Sequence, residues 1–404
     1  MISETDKNQT SNVTTIYLLS GNARLRLWLL LCIFCSAIAS QAATSYWLGN
    51  GNTSGTRLWS TLANWSPNPS GGGNNALPTF TAPGDDLVFG NYHASENTLN
   101  SRPNPGSFNV NSMTFTCNGW LIPVNAATDK IILGAGGITN NLGNVTGTPT
   151  SGAVPAANQF RCLIDLSASA TIWNYDTSQE LTIRQDALNY TALNYFCLDL
   201  KTFTLTFDGP GTNVFNTPTT SSHAGGAIKG TGGVVKNGMG QTSFSATNTY
   251  TGPTTVNAGR LIVKTWSKGG GSYTVADGAN LTVTVGSAAT TLNTSSLNLT
   301  NTTGALNTNT LSLALGSLGN PTVPVVYATN LTLIGDVYVT VTGSGLSVGT
   351  NDLIKYEGSI AGGGMLLGIP LPEGLVCFVS NNVPANAIQL VITRVPNLLW
   401  AGKT

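Results

Sequence analysis

The sequence predicts an all-β protein built as a β-solenoid, with two tandem β-sandwiches as the alternative. Three observations lead there. Of 404 residues, 56 are Thr and 42 are Asn, types that favour strands and turns respectively. Only 8% are charged, against roughly 25% in ordinary globular domains, so no long stretch reads as a solvated helix. Short alternating runs recur, among them Phe203 to Phe207, Leu281 to Val285, Leu311 to Leu315 and Val337 to Val341. Such alternation sends Leu, Val and Phe to one face and Thr, Asn or Ser to the other. Gly, Asn and Asp punctuate the runs, as at Asp208-Gly209 and Asp277-Gly278.

A solenoid accounts best for the sparse charge. Stacked strands pair like residues, so Thr and Asn on the outward face form ladders that replace ion pairs. A stack also tolerates insertions such as 140–157. At ~20–25 residues per rung, the mature chain makes roughly 15 rungs. Only 186–198 is mildly helical in its apolar spacing. Basic and acidic residues number 17 each, for a net charge of zero, which excludes a nucleic-acid binder relying on a basic face. At 41% hydrophobic residues the chain has material for a large core and is not of the disordered class.

The N-terminus carries Arg24 and Arg26, then an apolar run from Leu27 to Ile38, then small residues through Ala43. This is the pattern of a secretory signal peptide, and the run is shorter than a membrane span requires. Residues 1–42 are therefore expected to be a signal with a long polar start, cleaved near Ala39 or Ala42. The product is secreted or held at the cell surface, with no integral membrane segment left. Residues 43–130 form a Trp/Asn/Gly-rich opening region, 131–394 the solenoid, and 395–404 the start of a further repeat region. That last expectation rests on Trp400-Ala-Gly402 echoing Trp47-Leu-Gly49, and it implies a chain that stops short of a complete functional unit. Outside the leader, Cys117, Cys162, Cys197 and Cys377 form no C-x-x-C pair. They are read as buried thiols, or as containing one disulfide between neighbouring turns of the stack.

Residues 230–263 read GTGGVVKNGMGQTSFSATNTYTGPTTVNAGRLIV. Physically these are three strands joined by tight turns, with Gly238 and Gly240 placed for positive φ. The segment resembles the autotransporter-associated β-strand repeat of passenger-type parallel β-helices in secreted bacterial proteins. The matching positions are Gly232, Gly233, Lys236, Gly238, Gly240, Asn248, Tyr250, Gly252, Thr254, Asn257, Gly259 and Leu261; Gln241, Ser243 and Pro253 depart from the pattern. The resemblance implies a right-handed parallel β-helix, exported, with those residues in structural roles and no chemistry of their own. Residues 275–281 resemble a following rung, 351–390 the end of such a helix, and the Trp-rich start its opening rungs.

Catalytic signatures are sparse. His93 and His223 stand in loops without neighbouring ligand types, so no metal is expected. Gly134-Ala-Gly136-Gly137 lacks dinucleotide-loop spacing and reads as a turn between rungs. No cofactor and no hydrolase nucleophile are expected. Asp85 and Asp86 point to opposite faces of a strand. Asp165, Asp176, Glu180, Asp186 and Asp199, with Arg161 and Arg184, are scattered surface charges unless stacking brings some together. Trp59 and Trp65 either seal the open end of the stack or offer ring faces to sugars. The expected function is an exported, non-catalytic structural or adhesive β-helix whose partners are cell-surface or extracellular-matrix components, polysaccharide among them. The alternative is a polysaccharide-binding or polysaccharide-degrading β-helix.

Overall fold

The computed structural model describes residues 42–48, 58–70, 75–90, 103, 106–123, 129–141, 157–184, 196–216, 228–303, 311–368 and 374–395. Within them lie 27 strands and two single-turn 3-10 helices. Nearly every strand pairing is parallel, which excludes tandem sandwiches. Each rung crosses up to three ladders in turn. The second ladder runs through Thr44–Trp47, Asp85–Phe89, Ser107–Phe115, Lys130–Asn140, Ala170–Asn174, Leu205–Asp208, Val234–Lys236, Thr254–Val256, Tyr273–Val275, Leu292–Asn301 and Val326–Thr342. That makes eleven rungs among the described residues, fewer than the roughly 15 expected. The reason is rung length: Ile172 to its partner Phe207 is 35 residues, whereas Val234 to Thr254 is 20 and Thr254 to Tyr273 is 19. The Gly134–Gly137 run lies inside one strand, where Gly137 at φ 69° bends it from the first ladder to the second.

In-register stacking places like side chains above one another. Leu261, Leu281, Leu311 and Val339 follow one another up the third ladder, with Val263, Val283, Leu313 and Val341 beside them. All eight are buried. Strand alternation turns each of these toward the interior, and the parallel register repeats the choice rung after rung.

Asparagine ladders do form, but the most extensive is inside, at a corner, rather than on the outward face. Asn158 Nδ2 donates to Asn140 Oδ1 at 2.8 Å, Asn140 to Asn174 Oδ1 at 2.8 Å, Asn174 to Asn213 Oδ1 at 3.3 Å, and Asn213 to Thr242 Oγ1 at 3.3 Å. All five residues are buried. A corner leaves backbone groups without a ladder partner, and a short amide side chain can satisfy them from within. The outer surface carries shorter versions, such as Asn257 Nδ2 to Asn237 Oδ1 at 2.8 Å.

Both described ends of the parallel stack turn antiparallel. Thr44–Trp47 pairs with Trp65–Ser66. At the other end Ala387–Arg394 pairs antiparallel with Gly349–Tyr356 and with Val376–Asn382. Beneath the first rungs lies an aromatic cluster of Trp47, Trp59, Trp65, Phe80, Phe89 and Phe108. Trp47 meets Trp65 edge-on at 4.8 Å, and Phe80 meets Phe108 at 4.7 Å.

Candidate functional site

The segment 234–263 occupies two consecutive rungs as four strands, not three joined by hairpin turns: Val234–Lys236, Gln241–Phe244, Thr254–Val256 and Arg260–Lys264. Val234–Lys236 pairs with Thr254–Val256, and Gln241–Phe244 with Arg260–Lys264, both parallel. The glycines serve close approach more than backbone freedom. Gly238 and Gly240 do not have positive φ; a Cβ on either would strike the carbonyl oxygens of Gly209 and Gly211 in the rung before. Gly252 meets Gly232 in the same way. Tyr250 is buried beside Phe244 and exchanges a 2.7 Å hydrogen bond with Thr254 Oγ1. Leu261 is in the core, and Asn248 Nδ2 donates to the Ala246 carbonyl at 3.1 Å.

Lys236 is the anomaly of this segment. It stands in register between Phe207 and Val256 and is only 1% exposed. Its Nζ donates to the Gly238 carbonyl, tying the corner from inside. Burial disfavours the ammonium, Asp208 offsets part of that, and the pKa is pushed down to about 8. The unfolded chain, titrating near 10.4, therefore binds more protons between about pH 8 and 10.4. The Lys236 contribution to stability rises with pH across that window. Burial raises the Tyr250 and Tyr273 phenols and several thiols, and these oppose the rise in the wild type. The readout is thus a difference: relative to Lys236→Met, the wild type should gain about 2.5 kcal/mol in urea melts between pH 8 and 10.4.

Stacking also brings charges together. Asp165 and Asp199 lie in register on adjacent rungs of the first ladder, with Lys229 on the next. Lys130 Nζ reaches Asp165 Oδ2 at 2.7 Å, and Lys201 Nζ bridges Asp199 Oδ2 at 2.7 Å and Asp165 Oδ2 at 3.3 Å. Lys229 Nζ lies 3.3 Å from Asp199 Oδ2 and 5.4 Å from the Phe196 ring centre. Burial alone would raise the Asp199 carboxyl, but hydrogen bonds from Lys201 and the nearby ammoniums hold it below its ordinary value. The Asp199 hydrogen bond in turn raises Lys201. Neither group is poised for proton transfer near neutral pH.

The other acidic residues stay apart from this ladder. Asp176 accepts from Ser178 and Gln179 in its own turn, and Glu180 accepts from Thr182. Asp85 accepts from Thr79 N, while Asp86 accepts from Asn111 and Ser112 on the opposite face. Arg161 donates to Gln159. His93, His223, Asp186 and most of 186–198 lie outside the described residues, as do the leader and 396–404. One pattern missed in the sequence is Gly345-Leu-Ser347-Val-Gly349, which has nucleophile-elbow spacing. It leads into a strand rather than a helix, and Ser347 Oγ accepts from Asn320 Nδ2 at 3.1 Å, so the strand–turn–helix context is missing.

Trp59 and Trp65 are both 0% exposed. Trp65 Nε1 donates to the Trp59 carbonyl at 2.8 Å. Neither offers a ring face to a sugar; the sealing role is the one the packing supports. Among the described residues no group of three or more His, Cys, Asp or Glu is placed to hold a metal ion. No described helix is long and apolar enough to cross a membrane.

The family model of the passenger-associated-transport-repeat matches residues 234–263. No curated protein and no solved structure gives a match. The match covers the two rungs around Lys236 and supports their resemblance to the autotransporter-associated β-strand repeat.

Proposed function

We propose that the chain is an exported, non-catalytic β-helix of the bacterial cell surface or extracellular space, with a structural or adhesive role toward surface or matrix components. The observation that carries this is the position of the matched repeat. Residues 234–263 sit in register within a continuous parallel stack, contributing backbone, glycine contacts and core rather than a reactive group. Export depends on the leader, so N-terminal sequencing of protein recovered outside the cytoplasm should begin near Ser40 or Ala43. A recovered protein that still begins at Met1 contradicts the reading.

One observation favours polysaccharide contact as a second reading. An open polar cleft of about 480 Å³ lies beside Gln159, Thr177, Gln179, Glu180 and Thr212. Its amides, hydroxyls and single carboxylate suit hydroxyl-rich ligands. Degradation is not expected: assays on polysaccharide, ester and peptide substrates should give no turnover. An activity abolished by Asp165→Asn or Asp176→Asn would establish an enzyme instead.

A further inference from the structure

Cys162 and Cys197 belong to successive rungs. Leu198 pairs with Ile164, and Ile164 N donates to the Cys197 carbonyl at 2.9 Å. The parallel register therefore sets Cys197 beside Leu163, one residue along from Cys162. Both cysteines stand at bends just outside the strands, Cys162 before Leu163–Leu166 and Cys197 before Leu198–Asp199, so strand alternation does not send them to opposite faces. A strand spacing of roughly 4.8 Å and a rise of about 3.3 Å per residue bring their Cα atoms to about 6 Å. A disulfide spans about 4.4–6.8 Å between Cα atoms. Cys162 and Cys197 are 0% and 2% exposed and belong to the same apolar core. Both are thiols in this structure.

We propose that Cys162 and Cys197 are joined by a disulfide in the exported protein, stapling one rung to the next. The compartment rests on the export reading above; the chemistry does not. The oxidant is a disulfide-bearing thiol carrier, either a small-molecule disulfide or a protein one. One cysteine thiolate attacks the carrier, breaking its S–S bond and releasing one carrier thiolate. The second cysteine thiolate then attacks the mixed disulfide and releases the other. The pair loses two electrons and two protons, and the carrier is reduced to two thiols. Burial pushes both thiols up, Cys197 to about 12, with Cys197 adding to the rise at Cys162. Exchange therefore belongs to folding, before the rungs close, because the buried thiols of the finished fold are poor nucleophiles.

The test uses the full chain, unfolded in denaturant and refolded with oxidised glutathione or with dithiothreitol. Peptide mapping without reduction should show Cys162 linked to Cys197 only in the oxidised sample. The oxidised protein should melt about 3–5 °C higher. Cys162→Ala and Cys197→Ala should each abolish that difference, and Cys377→Ala should keep it. If either variant fails to fold, mapping of the wild type still decides. Recovery of Cys162 and Cys197 as alkylated thiols after oxidative refolding, or of either bonded to Cys117, overturns the proposal. The refolding arm makes no use of export, so a failed leader test leaves its result standing.

Discussion

Val275→Asp should destabilise the protein by about 3–5 kcal/mol in urea melts, and Val256→Asp by noticeably less. Both valines are 0% exposed and stack directly on one another in the second ladder. Val275 has Val256 on one side and Leu299 on the other. A carboxylate there has no partner, so it must either bury its charge or take up a proton. Val256 instead has Lys236 on the rung before, and a new carboxylate can pair with that buried ammonium. Adding Lys236→Met to Val256→Asp removes the pairing, and the double variant should then lose more than the sum of the single effects. Equal melting of Val275→Asp and wild type would show that these side chains do not face the interior.

What the sequence discloses, and what it hides, divides along local and non-local lines. Period-2 alternation is local, so Leu281-Thr-Val283-Thr and Leu311-Ser-Leu313-Ala were legible as strands with the inward residues correctly chosen. Stacking is non-local. Asp165 and Asp199 are 34 residues apart and meet only because the intervening rung has that length. No spacing in the sequence signals it, since the rungs of the matched repeat are far shorter. Gly238 and Gly240 show the same limit. Asn237-Gly238 looks like a hairpin turn, but the constraint is the backbone of the preceding rung. Lys236 was legible as a repeat position, yet nothing in its neighbours along the chain indicates that it points inward. Trp59 and Trp65 could have sealed the stack or faced outward, and the choice came from their packing on Phe80, Phe89 and Phe108.

The internal asparagine ladder sets up the second large effect, at Asn174. Its Oδ1 accepts from Asn140 Nδ2 at 2.8 Å and from Asp176 N at 3.1 Å. Its Nδ2 donates to the Thr212 carbonyl at 2.9 Å and to Asn213 Oδ1 at 3.3 Å. The residue is 0% exposed, so Asn174→Ala leaves groups from three rungs without partners in a space water does not readily enter. Each orphaned group costs about 1–3 kcal/mol, and partial rearrangement should hold the total near 3–5 kcal/mol. Asn174→Asp should also be costly, because it keeps the acceptor but removes both donated bonds and adds a buried charge. Asn257→Ala is the matched control. Its bond to Asn237 is equally short but exposed, and its loss should stay within about 0.5 kcal/mol. A double-mutant cycle between Asn140 and Asn174 should return a coupling above about 1 kcal/mol. If Asn174→Ala and Asn257→Ala cost the same, the inner ladder does no more than the outer one, and the corners are held by backbone pairing alone.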